Sequence, residues 1–146
     1  MKRGFTLIEL VVVMVIIGIL ISLGVPQYIT TVERGRAAEG VSILGAVRSA
    51  QLRFFAGNGA YPAAACTFTA VTDNCNLDIT IPDLRFFGLA GLPNRPTRGI
   101  AVANLGTVTR NNTSNPSFGA YVLQIDEAGT ITCSGGVATA CARLGY

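Results

Sequence analysis

The chain contains no histidine. That removes histidine as a general base, as the activator of a serine or cysteine nucleophile, and as a metal ligand, and with it much of the enzyme repertoire. Charge is also scarce. Asp, Glu, Lys and Arg make up 13% of 146 residues, where an ordinary soluble domain has about 25%. Hydrophobic residues make up 50%. That balance excludes a disordered chain and a polyelectrolyte nucleic-acid binder, and it argues against an ordinary cytosolic domain. The sequence has no internal repeat, no low-complexity tract and no C-x-x-C pair. Its length holds one domain rather than two.

The apolar residues are concentrated at one end. From Phe5 to Val25 only Thr6, Glu9 and Ser22 are polar. A helix over this run is about 32 Å long, close to the bilayer hydrocarbon thickness of about 30 Å. Lys2 and Arg3 stand immediately before it, so the positive-inside bias leaves the N-terminus in the cytoplasm and the rest of the chain outside. A secretory signal has a shorter apolar core followed by a small-residue cleavage site. Here the run is long, and Pro26, Gln27 and Tyr28 interrupt the small-residue stretch at its end, which favours retention as a single-pass segment.

Glu9 does not fit a plain anchor. A carboxylate in hydrocarbon costs about 2.5–3.5 kcal/mol at a helix centre, less near an end where it reaches the headgroups. A functional reading needs a buried positive partner, and no Lys or Arg lies between Gly4 and Glu33. An α-amino group, created by a cut just before Phe5, meets that need.

Lys2-Arg3-Gly4 followed by Phe5-Thr6-Leu7-Ile8-Glu9-Leu10 closely resembles the N-terminus of type IV prepilins and of the related pseudopilins of type II secretion. The resemblance covers roughly the first 50 residues. In that family a membrane peptidase cuts after the glycine and methylates the new terminal phenylalanine. The resemblance implies cleavage between Gly4 and Phe5, N-methylation of Phe5, and pairing of Glu9 with the terminal amine of a neighbouring subunit during assembly. Gly18 and Pro26 sit where family filaments often lose helical hydrogen bonding. Glycine and internal proline both weaken a helix, although Gly18 also suits close helix packing and Pro26 a simple kink. The domain plan is then a leader at 1–4, a membrane and filament-core helix at 5–28, and a globular part at 29–146.

From Gln27 to Ala56 the sequence predicts a second, amphipathic half of the helix. Steps of about 100° put Ile29, Val32, Ile43, Val47, Ala50 and Phe54 on one apolar stripe, with Arg34, Arg48, Leu52 and Arg53 well off it. Glu33, Arg34, Arg36 and Glu39 alternate in sign, which suits either ion pairs between subunits or a solvated face. Gly57-Asn58-Gly59 is a helix stop. Strands are expected at Leu77–Ile81 and within Ile100–Thr109, Ala120–Ile125 and Gly129–Cys133, with a hairpin turn at Asp126-Glu127-Ala128-Gly129. The fold class is α+β: a long N-terminal helix packed on a small antiparallel sheet, its hydrophobic half projecting. The resemblance to pilins implies the same architecture.

Cys66, Cys75, Cys133 and Cys141 all fall on the translocated side, where disulfides form. Their spacing favours Cys66–Cys75 and Cys133–Cys141, each bracketing a short loop. Many pilins staple a C-terminal loop in a similar way. No zinc pattern is present. Asp73, Asn74, Asn76 and Asp78 offer oxygens for calcium but do not meet the EF-hand pattern, so a plain turn is preferred and no metal or other cofactor is expected. Between Leu84 and Ile125 there are four arginines, Arg85, Arg95, Arg98 and Arg110, and no acid. Clustered, they would suit DNA phosphates, as in some competence-associated pilins; dispersed, they are a solvated face or pair with Asp73, Asp78 and Asp83.

The leading expectation is a structural subunit of a type IV pilus. Its partners are copies of itself, the prepilin peptidase and the assembly machinery. It sits first in the inner membrane and then in a surface filament serving adhesion, twitching motility or DNA uptake. The alternative is a pseudopilin of a type II secretion system: Asn58-Gly59-Ala60-Tyr61-Pro62 resembles a segment common in that group, but similar segments also occur in pilins, and the two expected disulfides favour a pilin. An anchored enzyme is disfavoured, since no nucleophile–base set is present.

Overall fold

A computed structural model describes residues 4–62, 68–69, 72–73, 77–81, 84–90, 104–111 and 117–146. Helix α1 spans Leu7–Asn58, β1 Phe68–Thr69, β2 Thr72–Asp73, β3 Phe87–Ala90, β4 Gly106–Arg110, β5 Tyr121–Ile125, β6 Ile131–Gly135 and α2 Ala140–Leu144. The chain forms two compact units, Met1–Arg34 and Gly35–Tyr146.

The first unit is the N-terminal part of α1. Its residues from Phe5 to Tyr28 are all exposed, so none of them forms a core. The helix runs without interruption through Gly18 and Pro26. Proline removes one backbone donor. Nearby hydroxyls bond back to helical carbonyls: Ser22 Oγ to Ile19 O at 2.8 Å, Thr30 Oγ1 to Pro26 O at 3.1 Å and Thr31 Oγ1 to Gln27 O at 3.0 Å. Such back-bonding is how polar side chains are satisfied inside an apolar helix.

In the second unit, α1 packs on an antiparallel sheet of order β3-β4-β5-β6. The expected stripe turns inward: Ile43, Val47 and Ala50 are buried, joined by Ala37 and Leu44. They meet Phe87, Val108, Tyr121, Leu123 and Ile125, which alternate inward along the strands. Register sets Leu89, Val108, Leu123 and Cys133 side by side on one row. Burying such side chains stabilises by about 1.5–3 kcal/mol each. Two glycines permit the close approach. A Cβ on Gly40 would lie 3.2 Å from Val108 Cγ2 and 3.3 Å from the Phe87 ring. One on Gly106 would lie 3.2 Å from both Leu44 Cδ2 and Val47 Cγ1. Phe87 and Tyr121 complete the core edge to face, with ring centroids 5.8 Å apart.

Polar side chains of α1 tie down the loops. Arg48, off the apolar stripe as expected, sends Nε and Nη2 to the carbonyl of Glu127, at 3.0 and 2.8 Å, and so holds the β5–β6 turn. Gln51 Nε2 donates to Leu105 O at 2.8 Å within the core. Arg53 Nη2 reaches Asp78 O at 3.2 Å. The alternating charges before them are treated unequally. Glu39 accepts the backbone N–H groups of Arg85 and Phe86 at 3.0 and 3.1 Å, and Glu33 is fully buried. Arg34 remains exposed.

The helix stops two residues later than expected, at Asn58. Gly59 follows with φ +70° and donates to Phe55 O at 2.8 Å. Tyr61 then stacks on Phe55, with centroids 4.7 Å apart. The strand expected at Leu77–Ile81 does not form. Ile79 N donates to Leu77 O at 2.6 Å, and this tight turn curls the backbone out of the extended geometry a ladder needs. The Asp126–Gly129 turn does form between β5 and β6. Asp126 Oδ1 accepts Thr130 N–H at 2.7 Å, which holds the Asp126 carboxyl below its ordinary pKa.

Candidate functional site

The candidate site is the start of α1 and the apolar surface beyond it. Gly4 and Phe5 precede the helix in exposed, non-helical backbone, and the Phe5 side chain is 86% exposed. Thr6 is the last residue before the helix and Glu9 lies in its first turn.

These two residues close a reciprocal cap. Thr6 N–H donates to Glu9 Oε2 at 2.9 Å, and the Thr6 hydroxyl donates to the same oxygen at 3.0 Å. Glu9 N–H returns to Thr6 Oγ1 at 3.4 Å. The first turn of a helix leaves its amide donors without partners, and this exchange satisfies two of them. A negative charge here also faces the positive end of the helix dipole. Charge in an apolar run singles out Glu9 and passes over Thr6. The Thr-x-x-Glu spacing ahead of an apolar run is the signal that identifies the pair.

Beyond the cap, α1 offers a continuous apolar surface. It is the one described helix long and apolar enough to cross a membrane. Leu7, Leu10, Val11, Met14 and Val15 line a shallow depression along its first turns. A Cβ on Gly18 or Gly24 would meet nothing within 4 Å, so neither glycine is required by packing within the chain. An exposed apolar surface of this extent requires lipid or other protein to cover it.

The remaining candidates are scattered. Cys133 on β6 and Cys141 on α2 form a disulfide, with Cα atoms 5.6 Å apart. Cys66 and Cys75 lie outside the described residues, as do Asn74, Asn76, Asp83, Arg95 and Arg98. The two remaining arginines of the acid-free run do converge. With Arg36 from α1, Arg85 and Arg110 surround the Phe86 ring, at 4.9, 5.5 and 5.5 Å from its centroid. Arg110 is 3% exposed, and its Nη1 donates to the carbonyls of Phe86 and Asn111. Its guanidinium therefore ties the start of β3 to the end of β4.

Comparison with known proteins finds matches to the N-terminal segment. Residues 1–25 match the family described as the prokaryotic N-terminal methylation motif. The fimbrial protein EcpC of Eikenella corrodens is 37% identical over 62 residues, covering 42% of this chain and 40% of its own length. The type IV major fimbrial protein FimA of Dichelobacter nodosus is 51% identical over 43 residues, 30% of this chain and 27% of its own length. The type IV major pilin protein PilA of Myxococcus xanthus (strain DK1622) is 42% identical over 60 residues, 41% of this chain and 27% of its own length. The chain thus matches between 27% and 40% of the length of these relatives. No solved structure matches it.

Proposed function

We propose that the chain is a structural subunit of a type IV pilus. The observation that carries this reading is a methylation motif joined directly to a helix whose apolar surface is left uncovered. Two environments cover that surface in turn. In the membrane, lipid does so, with Lys2 and Arg3 holding the N-terminus on the cytoplasmic side. In the filament, neighbouring helices do so, at about 25 cal/mol for each Å² of apolar area kept from water.

The chemistry follows from the order of residues. Cleavage after Gly4 removes Lys2 and Arg3 and creates an amine on Phe5, which is then N-methylated. Without those two cations, nine basic side chains balance eight acids, so the processed chain is close to neutral. Glu9 receives the amine of a neighbouring subunit, and this pairing sets the axial register. Gly18 and Pro26 provide the places where the helix can loosen as subunits pack. Adhesion, motility and DNA uptake are roles for the resulting filament, and a short secretion pseudopilus is the competing assembly.

Processing can be tested apart from assembly. The chain is expressed with a prepilin peptidase and its N-terminus is read by mass spectrometry. The expected product begins at methylated Phe5, and Gly4→Arg should abolish it. A Gly4→Arg protein that still begins at Phe5 overturns the cleavage site.

A further inference from the structure

We infer that Thr6 is a positioning residue that aims the Glu9 carboxylate at the neighbouring subunit, an inference that rests on the filament reading above. A glutamate side chain at a helix end is free to sample several rotamers. Here both Thr6 donors converge on one oxygen, Oε2, at 2.9 and 3.0 Å. Oε1 carries no hydrogen bond among the described residues. The cap therefore splits the carboxylate into an oxygen held by its own helix and an oxygen outside the cap.

The hydroxyl has a double part in this. Oγ1 gives its proton to Glu9 Oε2 and accepts from Glu9 N–H at 3.4 Å. Among small capping side chains, only serine and threonine do both through one atom. The cap is also independent of processing. A cut between Gly4 and Phe5 leaves the Thr6 amide and hydroxyl unchanged, so the same geometry serves the membrane-held subunit and the assembling one. An incoming amine then meets a fixed acceptor, and the ordering of that acceptor is complete before the two chains meet.

Helix capping and carboxylate positioning make different demands on residue 6, and substitution separates them. Full-length Thr6→Ser, Thr6→Val, Thr6→Asp and Glu9→Ala chains are expressed with the peptidase and assembly machinery, and sheared filaments are quantified. Aspartate caps a helix at least as well as threonine, but it has no proton to give Oε2. Thr6→Ser should assemble like the wild type. Thr6→Val and Thr6→Asp should yield about ten-fold fewer filaments, the worth of one hydrogen bond to a charged group, with N-terminal processing unchanged. Wild-type assembly of Thr6→Asp, or of Thr6→Val, overturns the positioning role while leaving the filament reading intact. If Thr6→Asp fails to insert in the membrane, Thr6→Val decides, provided its helix content in detergent is that of the wild type. Normal filaments from Glu9→Ala overturn both the filament register and this inference.

Discussion

Gly40 and Gly45 lie on the same helix five residues apart, and the structure gives them opposite responses to alanine. Either change removes the glycine penalty, about 0.8–1 kcal/mol in a helix interior. At Gly45 a Cβ meets nothing within 4 Å, so that gain is kept. At Gly40 the Cβ would press on Val108 Cγ2 at 3.2 Å and on the Phe87 ring at 3.3 Å. Both neighbours are buried and backed by the sheet, and neither can move far. Overpacking of this kind costs about 1–3 kcal/mol. Gly45→Ala is therefore stabilised by about 1 kcal/mol, and Gly40→Ala is neutral to about 2 kcal/mol destabilised. For a unit of this size the two variants should differ in Tm by roughly 5–10 °C. Thermal unfolding in detergent, followed by circular dichroism, measures the difference. Equal melting temperatures would refute the close helix–sheet approach at Gly40.

Two further predictions concern the C-terminal half. The Cys133–Cys141 disulfide closes a loop with a sequence separation of 8, and chain entropy gives it about 2.6 kcal/mol of stabilisation. Cys133→Ser with Cys141→Ser should lower the denaturant midpoint accordingly; an unchanged midpoint contradicts the closure argument. Asp126 has its carboxyl held below the ordinary value by Thr130 N–H. A group with a depressed folded pKa stabilises above its unfolded value and loses that contribution as pH falls through the folded one. Asp126→Asn should flatten the acid limb of the stability profile below about pH 4, and an identical acid limb in both proteins would be the contrary result.

The parts of the molecule legible in sequence are those with a local signal. The apolar run, the stripe of Ile43, Val47 and Ala50, the Gly59 stop and the Asp126–Gly129 turn each rest on spacing within a few residues. The spacing places Arg48 off the stripe but does not show its partner, because that partner is the carbonyl of Glu127, 79 residues away. Glu39 reads as part of a solvated or inter-subunit face for the same reason, since its donors are the amides of Arg85 and Phe86. Strand β3 escapes pattern reading because Phe87-Gly88-Leu89-Ala90 contains a glycine and lacks alternation; its position is set by pairing with β4. The opposite error arises at Leu77–Ile81, where alternation is present but only Leu77 is buried and the backbone turns at Ile79. The short helix α2 is fixed by its disulfide to β6 and by the left-handed Gly145 that ends it. At the candidate site, charge in an apolar run is enough to find Glu9, whereas Thr6 requires the capping spacing to be read as well.

The measurement closest to the central claim is electron microscopy of surface filaments sheared from cells carrying either the wild-type chain or Glu9→Ala. Mass spectrometry of the subunits accompanies it. Long filaments built from chains beginning at methylated Phe5, and lost in Glu9→Ala while processing continues, are the predicted result. No filaments from the wild type together with a secretion defect on deletion, or normal filaments from Glu9→Ala, would contradict the account.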